Sequence, residues 1–312
     1  MTVTEQPHDE FVRLTGPFRR ELLTHCYRML GSVQDAEDLV QETYLRAWRS
    51  YADFEGRASP RTWLYRIATN ACLNALRHSS RRVLPAGLGA PATDPLALGP
   101  RNPEIPWLEP IPDERADPAA VVAGRAGLRL ALIAALQHLP PQQRTVLILR
   151  DVLAWSAAET ADVLGIAPAA VQSTLQRARA RLDRLEPAID EIAEPAEPER
   201  RDLLDRYAAA FERADIAELT RLLTEDAVWQ MPPNPSWFAG RDSVIGLLTA
   251  RLGHKAARLV PLRANGQPGF AVYHDGEAFA VQVITLRGPA VAAVTAFHDA
   301  ALVRRFGLPL RI

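Results

Sequence analysis

The chain has 312 residues, 48% hydrophobic and 23% charged, with a net charge of −1, which suits a globular protein of two or three domains. No apolar run approaches the roughly 20 residues of a membrane span. Met1 to Glu10 is polar and acidic, unlike a signal peptide, so secretion and membrane insertion are disfavoured and a cytoplasmic location is expected. Two cysteines, Cys26 and Cys72, make neither a zinc cluster nor a disulfide framework. They read as small buried side chains in a reducing compartment, and no metal or cofactor is expected.

The near-zero net charge conceals a pattern. Residues 1–82 carry +2, 83–124 carry −4, 125–186 carry +3, 187–199 carry −5 and 200–312 carry +3. Mildly basic segments separated by acidic connectors are compatible with nucleic-acid contacts held apart by linkers. Nine of the 25 prolines fall within 83–124, a density that no helix or sheet interior tolerates, so this stretch reads as a partly extended linker. The acidic run Pro187 to Glu199, with Pro195 and Pro198, reads as a second boundary. Three folded units follow, 10–82, 125–186 and 200–312.

The first unit is helical. Val33, Ala36, Val40, Tyr44, Ala47 and Tyr51 recur at helical spacing after a Gly31 turn and a Ser32 cap, leaving Asp35, Asp38, Glu42, Arg46 and Arg49 on the other side. Ser59-Pro60 caps a further helix expected to run to Arg77, with Trp63, Leu64, Ile67, Ala71 and Ala75 as its buried side. In the second unit, Leu130 to Leu136 and Pro141 to Leu153 are helical. Ser156-Ala157-Ala158-Glu159 is a capping box that opens a short helix ending at Gly165. Pro168 opens a longer helix on an apolar face of Val171, Leu175, Ala178 and Leu182. Helix, glycine turn, helix is the helix-turn-helix pattern, and its second helix offers Gln172, Ser173 and Gln176 for base edges and Arg177, Arg179, Arg181 and Arg184 for phosphates. A plain helical bundle with a solvated arginine face is the competing reading.

Asp35-Ala36-Glu37-Asp38-Leu39-Val40-Gln41-Glu42-Thr43-Tyr44-Leu45-Arg46-Ala47-Trp48 resembles the polymerase-binding helix of bacterial sigma-70 RNA polymerase sigma factors of the extracytoplasmic-function (ECF) class. Phe54-Glu55-Gly56 and Arg61 to Asn70 resemble the part of region 2 that handles the −10 element, and Leu139-Pro140-Pro141-Gln142-Gln143-Arg144 with the helix-turn-helix resembles region 4. The resemblance covers 10–82 and 125–186, and the motifs occur in the family's order. It implies two all-α sigma domains, a region 2 helical bundle and a region 4 helix-turn-helix.

The same resemblance implies partners and roles. Core RNA polymerase, through its beta and beta-prime subunits, would meet Asp35, Glu37, Asp38, Leu39, Gln41 and Glu42. Promoter DNA would meet Arg57, Ser59, Arg61, Arg66, Asn70 and Arg77 at the −10 element, where a flipped base needs a pocket. Pro168, Ala169, Gln172, Ser173, Gln176, Arg177 and Arg179 would meet the −35 element. Trp63 reads as core rather than as a melting wedge, because it shares the apolar side of its helix. Ala167 departs from the family's Ser or Thr at the cap. The linker is long enough to span contacts about 20 base pairs apart, roughly 70 Å at 3.4 Å per step. It is expected to thread a polymerase channel, where its negative charge would mimic RNA.

The last unit starts with a helix bearing Leu203, Leu204, Tyr207 and Phe211. Strands are expected over Ala227 to Met231, Ala257 to Arg263, Phe270 to His274, Glu277 to Leu286 and Pro289 to Phe297, with a helix from Arg241 to Leu252 and a hairpin turn at Asp275-Gly276. This order, with Phe238-Ala239-Gly240 and Phe297-His298-Asp299-Ala300-Ala301-Leu302, resembles the α+β SnoaL-like cone that some extended members of this sigma class carry at their C-terminus. Trp229, Met231, Trp237, His254, Tyr273, His274, His298 and Asp299 are weighed as pocket groups. The resemblance implies a regulatory interface between this domain and the sigma regions with their linker, at Trp107, Leu108, Asn265 and Gly266, with Asn265 to Gly269 as a loop. It leaves room for an unidentified small-molecule ligand. Three functions stay open: a sigma factor, a helix-turn-helix regulator with a ligand-sensing domain, and an isomerase or cyclase of the SnoaL-like type. The Asp35 to Trp48 helix favours the first, because a repressor has no need of it.

Overall fold

The computed structural model describes residues 5–56, 58–78, 80–96, 98–123, 128–185 and 197–312. Arg57 and residues 187–196 of the acidic connector lie outside them. The chain divides into two units, Met1–Arg82 with Asp113–Pro187, and Val83–Pro112 with Ala188–Ile312. The proline-rich stretch is therefore split, and most of it belongs with the C-terminal unit.

In the first unit, α1 (Glu5–Thr15), α2 (Arg19–Leu30), α3 (Val33–Arg49) and α4 (Pro60–Ala75) form one bundle. Gly31, at φ 72°, ends α2, and the Ser32 hydroxyl accepts from the Asp35 amide at 3.2 Å to start α3. Ser59 caps α4 in the same way, accepting from the Thr62 amide at 3.0 Å. α1 was not foreseen. It is anchored by buried Phe11, which meets Tyr44, Trp48 and Tyr51 edge-on.

The buried side of α4 also differs from the expectation. Leu64 and Ala71 are buried as foreseen, joined by Tyr65, Ala68, Thr69 and Cys72, whereas Trp63, Ile67 and Ala75 are half-buried. The reason is that α4 is covered on more than one side, so no single apolar stripe describes it. Thr69 is admitted to the interior because its hydroxyl meets His25 Nε2 at 3.0 Å. Trp63 leaves the core to stack on Phe54 of the preceding loop, with ring centroids 4.6 Å apart.

The rest of the unit is α5 (Pro118–Ala123), α6 (Leu130–Leu136), α7 (Pro141–Leu147), α8 (Ala157–Leu164) and α9 (Pro168–Leu185). α5 lies inside the expected linker, with Pro118 at its first position, where no amide is needed. α7 continues into a π-helical turn, Ile148–Val152. The capping box of α8 is fully formed: Ser156 Oγ accepts from the Glu159 amide at 3.1 Å, and the Ser156 amide donates to Glu159 Oε2 at 2.7 Å. Arg144, buried, ties α7 to the end of α2. It donates to Gln137 Oε1 at 2.7 Å, to the carbonyls of Gln137 and Leu139, and to that of Met29.

The second unit contains α10 (Glu197–Glu212), α11 (Ile216–Leu222), β1 (Leu223–Gln230), β2 (Trp237–Ala239), α12 (Arg241–Arg251), β3 (Ala257–Ala264), β4 (Gln267–His274), β5 (Glu277–Arg287), β6 (Ala290–Phe297) and α13 (Ala300–Arg305). Its six-stranded sheet has the order β2-β1-β6-β5-β4-β3, with β1 and β6 parallel and the other pairs antiparallel. Tyr207, Phe211, Trp229, Phe238 and Phe270 fill the space between sheet and helices. Asp275 and Gly276, at φ 52° and 80°, make the expected hairpin turn. The expected loop at 265–269 is shorter in the structure. Asn265 and Gly266 form a two-residue turn at φ 58° and 68°, and β4 starts at Gln267. Gly269 already lies in the ladder, where a Cβ would overlap the Gln282 carbonyl oxygen.

Residues 83–112 form a strap on this cone. Prolines lack a backbone donor, so the strap attaches through the residues between them. The amides of Ala92 and Asn102 donate to the carbonyls of Trp237 and Pro233 at 2.7 and 2.9 Å, and Gly99 donates to Ser236 Oγ at 3.1 Å. Val83 and Trp107 pair in parallel, closing the strap on itself. Ile111 exchanges two 3.0 Å bonds with Asn265, one to its side chain and one from its amide.

Candidate functional site

The Ser32 cap fixes the phase of α3 and leaves Asp35, Glu37, Asp38, Leu39, Gln41 and Glu42 off its buried stripe. Asp38 and Gln41 are exposed and the other four half-buried. Several of these carboxylates hold intrachain arginines: Asp35 meets Arg82, Glu37 meets Arg115 and Glu42 meets Arg46, each at 2.6 Å. A groove of about 510 Å³ runs beside α3, with Arg19, Arg20, Glu37, Asp38, Gln41 and Glu114 among its walls. It is polar and of mixed charge, which suits a charged protein surface better than an apolar ligand.

On α4, Ser59 is used as the cap. Arg61 donates to Glu21 of α2 from Nε at 2.6 Å and lies 5.4 and 5.1 Å from the ring centres of Tyr65 and Trp155. Arg66 pairs with Asp162 of α8 at 2.5 Å. Tyr65 and Trp155 pack at 4.9 Å. Two arginines expected to meet −10 DNA are thus held at the contact between α4 and the helix-turn-helix, while Asn70 and Arg77 are exposed.

On α9, Pro168, Ala169, Gln172, Gln176 and Arg177 are exposed and Ser173 is half-buried. The Ser173 hydroxyl donates to the Ala170 carbonyl at 3.1 Å, and Arg177 donates to Thr174 Oγ1 at 3.0 Å. Arg179 is held by both oxygens of Asp151, at 2.8 and 2.6 Å. The sequence reading did not single out Trp155, Asp162, Glu21 or Asp151. Trp155 carried a signal, since an apolar residue just before a cap commonly packs as a staple; the acidic partners carried none.

In the C-terminal unit, Trp107 is half-buried and donates from Nε1 to the Asn102 carbonyl at 2.7 Å, and Leu108 and Asn265 are fully buried. Of the pocket candidates, Trp229, Met231, His274 and His298 line a cavity of about 280 Å³. The others are used elsewhere. The Trp237 indole donates to the Gly89 carbonyl at 2.9 Å, the Tyr273 hydroxyl to the Pro309 carbonyl at 2.8 Å, and His254 Nε2 meets the Ala250 carbonyl. Asp299 lies beyond β6 and caps α13, accepting from the Ala301 amide at 2.8 Å. Burial, with Arg101 and His274 nearby, pushes His298 down to about 4; burial and Lys255 lower His274 as well.

Residues 14–82 match the Sigma-70 region 2 family, residues 129–182 the Sigma-70 region 4 family, and residues 204–304 the SnoaL-like domain family. The ECF RNA polymerase sigma factor SigG of Mycobacterium tuberculosis is 49% identical over 319 residues, which span 97% of this chain and 86% of SigG. The ECF sigma factor SigJ of the same organism is 32% identical over 212 residues, spanning 68% of this chain and 61% of SigJ. The crystal structure of SigJ matches with a TM-score of 0.65 at 25% identity, over 97% of this chain and 99% of that one. With sigma regions 2 and 4 in order and this identity over nearly its whole length, the chain belongs to the ECF RNA polymerase sigma factors and carries a C-terminal SnoaL-like domain.

Proposed function

We propose that this sigma factor docks on the beta and beta-prime subunits of core RNA polymerase in the cytoplasm through the outer face of α3. Promoter DNA then meets Ser59, Arg61, Arg66, Asn70 and Arg77, together with Arg57, at the −10 element, and the exposed side of α9 at the −35 element. The observation that carries this is the capped α3 with Asp38 and Gln41 exposed beside half-buried Leu39. Charge steers such a docking and the apolar group adds area to it. Among the described residues, no helix is long and apolar enough to cross a membrane.

The C-terminal domain is a regulator in this reading and not an enzyme. Among the described residues its cavity offers two histidines with lowered pKa values and no carboxylate, whereas acid–base turnover needs a pair of groups with opposed pKa values. Control passes through the strap, which leads covalently from region 2 to the helices after Asp113.

Run-off transcription with purified core polymerase on genomic promoter fragments tests the proposal. The full-length chain directs specific initiation. Asp38→Arg, which places a like charge against a basic surface at a cost of several kcal/mol, abolishes it without lowering the unfolding midpoint. A full-length chain that neither binds core polymerase nor yields a specific transcript sinks the reading.

A further inference from the structure

The cone cavity has a wall that the fold alone would not supply: Leu98 and Arg101 of the strap line it together with sheet and helix residues. Its lining combines apolar Phe211, Trp229, Met231, Val272 and Phe279 with uncharged polar Asn234 and Gln282. Its charged groups are Arg101, from the strap, and Arg251, from the end of α12, both exposed while lining the cavity and so set at its rim. Neither is paired with a carboxylate among the described residues, and Arg251 reaches across to the Leu96 carbonyl of the strap at 3.4 Å. Among the described residues, no Asp or Glu lines the cavity. His274, which also lines the cavity, has its Nδ1 buried without a hydrogen-bond partner among the described residues.

We propose that this cavity binds a small organic monoanion, a carboxylate on an apolar body, with the carboxylate between Arg101 and Arg251 and the strap as one wall. The chemistry follows from the lining. The apolar side chains of the lining select a hydrophobic body, two guanidiniums without a neighbouring carboxylate among the described residues select an anionic head, and neutral imidazoles with the amides of Asn234 and Gln282 add polar atoms without charge. Because the ligand touches Leu98 and Arg101, it binds the docked strap and not the released one. Linkage then requires that it hold the strap on the cone, and the strap leads directly to the two sigma regions. The proposal rests on the regulatory reading of the C-terminal domain, and a binding measurement without polymerase keeps its failure distinguishable from the failure of that reading.

The test is calorimetric titration of the full-length chain with matched acids and amides: phenylacetate and phenylacetamide, indole-3-acetate and indole-3-acetamide, hexanoate and hexanamide. At least one acid binds with 1:1 stoichiometry and about tenfold more tightly than its amide. Arg101→Ala and Arg251→Ala, both at exposed positions, each erase that preference while keeping the unfolding midpoint. Met231→Trp fills the cavity and removes binding of both forms. Hydrogen exchange at the amides of Ala92, Gly99 and Asn102 slows when the acid is present, by up to about a hundredfold at 100 Kd. Equal affinity of acid and amide, an acid preference that survives both arginine variants, unchanged exchange at the strap, or no binding by any acid overturns the proposal.

Discussion

His25 is fully buried, its Nε2 on Thr69 and its ring 4.9 Å from Tyr65, and burial with Arg28 nearby pushes it down to about 3. His298, in the other unit, is pushed down to about 4 by burial. Both are neutral in the folded protein, whereas in the unfolded chain they titrate near 6.5. Between the two values the unfolded chain takes up protons that the folded one refuses. The stability these groups permit is complete above pH 6.5 and is lost as pH falls toward their folded values, by up to about 1.4 kcal/mol per histidine for each pH unit. Unfolding midpoints should therefore decline from pH 7 to 5, above the range where most carboxylates titrate, and His298→Gln should flatten part of that slope. A flat profile over this interval would mean that one or both imidazoles are accessible to protons in the folded state.

If Arg61 and Arg66 meet the −10 element as proposed, the contact between α4 and α8 is the element that restrains them. In that proposal Arg61 and Arg66 would first have to release Glu21 and Asp162, with which they are paired. The Arg66–Asp162 pair is solvent-exposed, so it is worth about 0–1 kcal/mol and weakens with salt. Asp162→Asn should accordingly raise the affinity of the free protein for a −10 non-template oligonucleotide by at most about fivefold, and less at high salt. Trp155→Leu, which thins the apolar part of the same contact, should raise it further. Unchanged affinity in both variants would remove this contact as a restraint. Little of it was legible beforehand. Caps and turns at Ser32, Ser59, Ser156, Gly31 and Gly165 were readable because they depend on neighbours in sequence, and so were the five longer strands. The face of α4 was misjudged because burial there is set by α2 and α8, far away in the chain. α1, the short β2 and α13 were missed for the same reason, since tertiary contacts rather than local pattern hold them.

At the scale of the whole chain, the linker's assignment changes what a truncation measures. Read as sequence, 83–124 was a spacer between sigma regions; in the structure, 83–112 belongs with the C-terminal unit and buries Leu84, Leu108 and Ile111. Each such side chain returned to water costs about 1.5–3 kcal/mol, and the Glu109–Arg305 pair and the Ile111–Asn265 bonds are lost with it. A chain ending at Glu199 therefore does more than remove a regulator, because it leaves an apolar strap without its platform. It should bind a hydrophobic dye and be cleaved by protease within 83–112, while α2 to α4 and α6 to α9, whose contacts lie in the other unit, remain protected. Asn265→Ala in the full-length chain loosens the strap and leaves the cone in place. If the strap transmits control, that variant changes run-off transcription in the same direction as the truncation without the dye binding; opposite directions would assign control to another surface of the cone.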